Sequence, residues 1–427
     1  MKIHINTLNS RLETDNSDVL DALYRLYSEK APGYQYSSAY KRRQWDGKVH
    51  FLAKNGIFRT GLLSRILDDL KKIDCSPEIV YEEGKPKPDY DKNYTIDKFE
   101  YYDYQKELIE RGLKDMRGII KSPTGSGKTL IMAGLVKALA GLCYGEGFIQ
   151  GDIMLCTVQS IERILDTHLE ETEVLMVDEC HEFANGKTTL TALRSFPNAL
   201  YRIGFTATPP SDIIPKLNLE GSLGPVWSVV DTASLVDSGK LTKPVIQLIN
   251  REYTASGIDE DMTYMEAYDE YIVYNEKRNN IIKDIVNDIK KRNPKSRILV
   301  LTKSLDHGRT LEKLFGGNCE FLQGSDSIGE RYNAISKFRR HKTSSVLIGT
   351  KILQTGVNIE EITHFINARG MKSEIATLQA LGRALRRHKS KDKVFVYDFL
   401  DKEKYLKEHS LARKKHYTNE GHEVIIL

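Results

Sequence analysis

The run Ser122-Pro123-Thr124-Gly125-Ser126-Gly127-Lys128-Thr129 is built to hold phosphate. Glycines at 125 and 127 let the backbone approach an anion closely, and amides from Thr124 to Thr129 can wrap its oxygens. Lys128 neutralises charge, and the Thr129 hydroxyl can ligate Mg²⁺. The usual pattern opens on glycine where this chain has Ser122, and Pro123 and the two glycines still supply the turn. Further along, Asp178-Glu179-Cys180-His181 offers one carboxylate for the metal and a second that can orient and deprotonate a water. Thr206 and Thr208 add two hydroxyls. Gln379, Arg383 and Arg386 stand at i, i+4 and i+7, so on a helix they share a face, with Gly382 permitting close approach. Two guanidinium groups there can stabilise charge developing during phosphoryl transfer. Gln105 brings an amide that donates and accepts, suited to an adenine edge. The chemistry these residues share is attack of water on a nucleoside triphosphate.

Such groups need strands and helices to aim them. Apolar Ile119-Ile120 leads into the phosphate loop, Val174-Leu175-Met176-Val177 delivers the acid pair, and Tyr201 to Phe205 delivers Thr206. Each reads as a buried strand with polar groups at its carboxyl end, and the alternation of strand and helix from Phe99 onward predicts a parallel sheet covered on both faces. Ile153-Met154-Leu155-Cys156 reads as another such strand, ending near Thr157 and Gln159. In the second half, Ile298 to Leu301 leads to Thr302-Lys303-Ser304, where a phosphate seat and simple capping by Ser304 are both open. Val346 to Gly349 leads to Thr350. Gly and Pro around Ser238 to Pro244 suggest a hinge.

A chain of 427 residues with 40% hydrophobic composition exceeds one ordinary core, so several domains are expected. The spans 1–96, 97–240 and 241–427 divide it into a small α+β amino-terminal module and two α/β domains, with a charged, Pro- and Gly-containing linker at Glu82 to Asp89. In the first, Val19 to Tyr27 and Leu62 to Leu70 have helical spacing, and Lys48 to Leu52 alternates like a strand. Five scattered cysteines without a C-x-x-C pair argue against a disulfide framework and a zinc site, and fit a reducing compartment. No segment has the length and apolarity of a membrane span. A formal charge of +4 does not diagnose a partner, though 29% charged residues leave room for basic patches. Tyr34 to Lys48 interleaves aromatics with Lys41, Arg42, Arg43, Trp45 and Lys48. That pattern suits phosphate contacts and base stacking, and equally a solvated basic face beside a core Trp45 and an Asp46-Gly47 turn.

Taken in order, Gly-Ser-Gly-Lys-Thr, Asp-Glu-Cys-His, Thr-Ala-Thr and Gln379 to Arg386 resemble motifs I, II, III and VI of the superfamily 2 helicases of DExH type. Gln354-Thr355-Gly356-Val357-Asn358 is similar to motif V, with Asn358 where the family has Asp; Asn can still accept a ribose hydroxyl bond, without charge. Gln44-Trp45-Asp46-Gly47-Lys48 and the tail Leu406 to Tyr417 are similar to the bacteriophage UvsW-type branch-migration helicases, and more distantly the chain resembles the RecG and XPB groups. The resemblance implies two tandem RecA-like domains with ATP and Mg²⁺ held between them, Gly356 and Asn358 near the nucleotide, and Arg383 and Arg386 as arginine fingers. It further implies that His181, Thr206 and Thr208 couple hydrolysis to movement, and that Thr157, Gln159, Thr302, Lys303 and Thr350 grip nucleic acid. The implied activity is an ATP-driven, monomeric motor on branched or forked DNA in replication, recombination or repair, in the cytoplasm, or in that of a host cell if phage-encoded. An RNA helicase, a duplex translocase without strand separation and a branched-DNA annealing protein remain open.

The tail Tyr405 to Lys415 is a basic helix that either reaches phosphates or covers the second sheet, and Arg387 is expected to face solvent or nucleic acid. Between Gly141 and Asp152 there are about a dozen residues, where a strand and its returning helix need roughly 20. This predicts a further segment near Gly141 or Leu142, or the loss of one strip of nucleic-acid contact. An intact mass matching the 427-residue chain would exclude the first.

Overall fold

A computed structural model of the chain describes all residues except 83, 85, 144–152, 158–168, 251–260, 351–358 and 390, with backbone alone for 140–143, 374 and 375. The chain forms two compact units, Met1–Ser122 with Gly127–Val230, and Pro123–Ser126 with Asp231–Leu427.

In the first unit, β1 (Lys2–Ile5) and β2 (Asn9–Glu13) form a hairpin that continues outward to β5 (Ile57–Arg59) and, in parallel, to β6 (Glu78–Tyr81) in the order β5-β2-β1-β6; β3 (Ser28–Lys30) and β4 (Lys48–His50) pair separately. Alternation along β2 buries Ser10 and Leu12 and exposes its other three side chains, the signature of a one-sided sheet. Helices Ser17–Leu26 and Leu63–Lys71 lay Leu23, Ile66 and Leu70 on it. This small core is not closed on itself: Leu217 and Ile214, from the helix Ile213–Leu223 of the following α/β region, pack into it. Arg65 pairs with buried Glu220 at 2.8 Å in the same seam.

The α/β region of this unit has a wholly parallel sheet of order β10-β7-β9-β8, made of β7 (Arg117–Lys121), β8 (Val174–Val177), β9 (Tyr201–Thr206) and β10 (Val226–Ser228). All six residues of β9 are buried, as expected of a central strand covered on both faces. Gly118 is required by packing, because a Cβ there would lie 2.3 Å from the ring of buried Trp227 on β10. The residues Ile153 to Cys156 depart from expectation. They form no strand, and Ile153, Met154 and Leu155 are 43%, 49% and 94% exposed. Apolarity alone does not make a strand without a neighbour to pair with, and among the described residues the sheet ends at β8.

The second unit has a seven-stranded sheet of order β13-β14-β12-β15-β16-β11-β17, comprising β11 (Lys243–Ile249), β12 (Arg297–Leu301), β13 (Glu320–Leu322), β14 (Ser345–Gly349), β15 (His364–Asn367), β16 (Lys393–Phe399) and β17 (Val424–Ile426). Every pairing in it is parallel. Helices such as Glu276–Arg292 and Leu305–Leu314 bury Ile282, Val286, Ile289 and Leu311 against Ile298, Val300, Val346 and Ile348. The fold is therefore two RecA-like parallel-sheet domains preceded by a small α+β domain. No helix among the described residues is long and apolar enough to cross a membrane.

The tail helix Leu406–Asn419 covers the second sheet through one face. Leu406, Ser410, Arg413 and Tyr417 are buried; Arg413 forms an ion pair with Asp398 of β16 at 3.0 Å, and the Tyr417 hydroxyl donates to the same carboxylate at 2.7 Å. Of the two roles open to this basic helix, its buried face takes the structural one. Arg387 is exposed, as expected, and its Nη1 donates to Gly239 O at 2.9 Å.

Candidate active site

β7 runs straight into the phosphate loop, and the Ser122 amide donates to Thr206 O at 2.9 Å, fixing the loop's first residue to the end of β9. Gly125 and Gly127 have φ of +89° and +83°, the left-handed region that residues with a Cβ avoid. Ser126 is buried and its hydroxyl donates to Pro123 O at 2.6 Å, tightening the turn. Lys128, the first residue of the helix Lys128–Cys143, reaches back across the loop to donate to Ser122 O at 3.2 Å. Thr124 is half-buried, and Gly125 and Thr129 are exposed. Gln105 is buried in the first turn of the helix Asp103–Asp115, where its Oε1 accepts from Tyr102 N at 2.9 Å. Its Nε2 lies beside Gly127, where an added Cβ would sit 2.5 Å away. The side chain read as an adenine contact is thus also the helix cap and a wall of the phosphate loop.

At the end of β8, Asp178 is exposed and its Oδ1 accepts from Glu179 N at 2.9 Å. Glu179 has φ 47° and ψ 43°, a left-handed conformation uncommon for a side chain of its kind. It brings Oε2 to 3.4 Å from His181 Nδ1, while the same nitrogen lies 2.9 Å from Thr206 Oγ1. Thr206 Oγ1 also accepts from Thr208 N at 3.2 Å. The acid pair, His181 and the two threonines therefore form one connected polar track from β8 to β9, which are adjacent in the sheet. Burial holds the His181 imidazole below its usual range, against the pull of Glu179.

The Thr129 hydroxyl and the Asp178 carboxylate, both exposed, are hard oxygen donors. No cluster of three or more His, Cys, Asp or Glu among the described residues could hold an ion by itself. One carboxylate with one hydroxyl suits Mg²⁺, which completes its shell with substrate phosphates and water.

In the second unit, the helix Glu374–Ala384 carries Gln379 and Arg383, both half-buried. Arg386 is not on that helix, contrary to the i, i+7 reading. The helix stops because Leu385 O accepts from Thr242 N at 2.8 Å and Ala384 O accepts from the buried Lys391 ammonium at 2.8 Å, and Arg386 continues as a bridge to Leu241. Burial lowers the Arg386 pKa from its usual value.

Among residues expected at nucleic acid, Lys41, Arg42 and Arg43 are exposed at the end of the short helix Ser38–Lys41. Trp45 is half-buried and donates its indole N–H to Lys48 O at 2.8 Å, and the Asp46-Gly47 turn forms, with Asp46 Oδ1 accepting from Lys48 N. Thr157 is exposed. Thr302 is fully buried with its hydroxyl donating to Ser304 O, and Thr350 is buried. The half-buried Lys303 places its ammonium 4.3 Å from the Tyr268 ring centroid, a partnership not read from the sequence. Gln159, Gly356 and Asn358 lie outside the described residues, as does most of the stretch between Gly141 and Asp152.

The family described as Helicase conserved C-terminal domain matches residues 276–388. The family described as Type III restriction enzyme, res subunit, matches 98–149 and 142–211, two stretches that overlap at 142–149. The ATP-dependent DNA helicase uvsW of Enterobacteria phage T4 is 23% identical over 479 residues, covering 98% of this chain and 94% of that protein; the aligned length exceeds the 427 residues here. The DNA 3'-5' translocase XPB2 of Sulfurisphaera tokodaii is 23% identical over 369 residues, covering 70% of this chain and 81% of that protein. Among solved structures, the ATP-dependent Type ISP restriction-modification enzyme LlaBIII bound to DNA shares the fold with a TM-score of 0.56 and 14% identity, covering 82% of this chain and 33% of that one. Phosphate loop, acid pair, threonine track and arginine helix, in this order and with these relatives, make the chain an ATP-hydrolysing member of the superfamily 2 DExH helicases, similar to the UvsW type.

Proposed function

We propose that the chain is an ATP-driven DNA helicase or translocase that acts on branched DNA, unwinding forks and migrating Holliday junctions in replication, recombination or repair. The observation that carries this reading is the bonded track from Glu179 through His181 to Thr206 and Thr208, which gives the hydrolytic carboxylate a physical connection to a second strand end. The relatives named as DNA helicase and DNA translocase support DNA as the polymer.

In this reading Lys128 and the loop amides hold the β- and γ-phosphates, Gln105 meets the adenine, and Glu179 accepts a proton from the attacking water. Thr129 and Asp178 would hold Mg²⁺, which supplies charge neutralisation at the phosphates when bound. Arg383 and Arg386, with Gln379, stabilise the charge that develops on the transferring group. His181, whose pKa burial lowers, can accept from Thr206 or donate to Glu179, so a change in one bond alters the other. The exposed cations Lys41, Arg42 and Arg43, with Trp45 and Lys48, take duplex DNA near the branch, and Thr157, Lys303 and Thr350 belong to the path of the translocated strand. The spans 1–96, 97–240 and 241–427 then serve as grip, first motor and second motor of a monomer working in the cytoplasm.

The test is an ATPase and strand-displacement panel on single strands, duplex, fork, Holliday junction and RNA, with Lys128→Ala as control. Fork- or junction-stimulated turnover with displacement is expected, and Lys128→Ala should abolish both. Stimulation by RNA alone would overturn the reading, and duplex-stimulated turnover without displacement would favour a translocase, as the XPB2 relative's name suggests.

A further inference from the structure

Beyond the carboxyl ends of two strands of the second sheet, aromatic and cationic side chains converge. Lys303 follows β12, Tyr405 follows β16, and Tyr264 opens the helix Tyr264–Tyr268. The Tyr264 ring lies 6.1 Å from that of Tyr405, edge to face, and 5.3 Å from the His409 imidazole. The Lys303 ammonium sits 4.9 Å from the Tyr264 centroid and 4.3 Å from that of Tyr268. Lys404 lies over Tyr405 at 5.2 Å, and the neighbouring Lys402 and Lys407 are exposed. In parallel α/β sheets, the crevice outside the carboxyl ends of the strands is where ligands bind.

Tyr405 is the telling member. Its backbone has φ 64° and ψ −40°, and Leu406 N donates to Lys404 O at 2.8 Å across it, a three-residue turn of the rare, strained kind. Nothing in a Tyr side chain favours that conformation, which glycine would adopt without penalty. The strain is imposed from both sides. Leu406 and Glu403 are buried, and Asp401 is locked by the fully buried Arg278 at 3.0 Å. The product of this constraint is a tyrosine left 38% exposed, its hydroxyl donating to Met262 O at 3.4 Å.

We infer that Tyr405 and Tyr264, flanked by Lys303 and Lys404, form a stacking platform on the second motor domain for unpaired bases of single-stranded nucleic acid. Aromatic faces take any base, and adjacent ammonium groups take the backbone phosphates, so contact here is sequence-tolerant, as a translocating motor requires. This rests on the motor reading above and adds to it a grip by stacking, where that reading invoked hydroxyls at strand ends.

The test measures binding of fluorescent oligo(dT) by anisotropy in the full-length protein, beside thermal melting and DNA-stimulated ATP hydrolysis of the unmodified chain. Tyr405→Gly relieves the backbone strain while removing the ring, so its Tm should hold or rise while its Kd rises roughly tenfold. Tyr405→Trp should keep Kd within about twofold, and Tyr264→Ala should weaken binding alongside Tyr405→Gly. Unchanged Kd in Tyr405→Gly overturns the inference. So does a loss of binding that Tyr405→Trp shares in full, or one matched by a fall in Tm, because the ring would then serve only packing. If the unmodified protein neither binds oligo(dT) nor hydrolyses ATP with any nucleic acid, it is the motor reading that fails.

Discussion

Glu179 spends backbone energy to stand where it does. A left-handed conformation costs a side chain about 1–2 kcal/mol, and here it carries the carboxylate to His181 while its own amide is held by Asp178. Glu179→Gln is isosteric, keeps those distances and removes the proposed proton acceptor. ATP turnover should fall by roughly 100-fold or more, with nucleotide affinity within a few-fold, as checked by steady-state kinetics and nucleotide titration. His181→Ala cuts the track between Glu179 and Thr206, and the ratio of DNA-stimulated to unstimulated turnover should fall several-fold, measured with and without forked DNA. Lys128, Asp178 and Glu179 were legible by type and spacing because the phosphate dictates them locally. That Thr206 could stand beside His181 was open to the sequence from the polar ends of two buried strands, but the bond itself depends on those strands lying side by side. Arg386 shows the limit of periodicity: the spacing puts it on a helical face, but Thr242 and Lys391 capture the preceding carbonyls and end the helix first.

At the scale of elements, the tail helix is an anchor with an ionic root. Arg413 makes its pair with Asp398 in a fully buried setting, alongside donors from Tyr417 and Asn367 to the same carboxylate. Removing one partner leaves a buried charge unmatched, so Arg413→Ala should cost about 3–5 kcal/mol of stability. Lys415→Ala, at an exposed position of the same helix, should stay within about 0.5 kcal/mol; denaturant titration compares the two. In the sequence these cations look alike. What separates them is the position of Asp398 on a strand that only the folded sheet brings beneath the helix. Ile153 to Cys156 present the converse: four apolar residues have the composition of a strand, and the described sheet ends at β8.

For the whole molecule, two buried imidazoles tie stability to acidity. Full burial, and secondarily nearby Arg278, holds the pKa of His307 down to about 3, its Nε2 bonded to Asn279, and burial holds His364 at about 4. Both are neutral when folded and protonate near pH 6.5 when unfolded, so their contribution is complete above pH 6.5 and is lost as pH falls toward 4 and then 3. The melting temperature should drop across that window, and His307→Gln should flatten the drop, as followed by calorimetry at several pH values. The amino-terminal surface calls for a charge test: Lys41→Glu, Arg42→Glu and Arg43→Glu together should weaken duplex DNA binding about tenfold or more at low salt, with Tm little changed, by anisotropy and melting. The parallel sheets and their strand ends were readable because hydrophobic runs and phosphate motifs are local. That Leu217 and Glu220 of the motor complete the core and seam of the first module was not, since nothing in the linker between them announces it. This shared core also bears on descent. A module whose hydrophobic floor is supplied by a neighbour cannot be exchanged like a bead on a string: a recombination junction in the linker would expose apolar surface on both products. Any lineage that acquires this module must acquire, or already possess, the motor helix that fits beneath it.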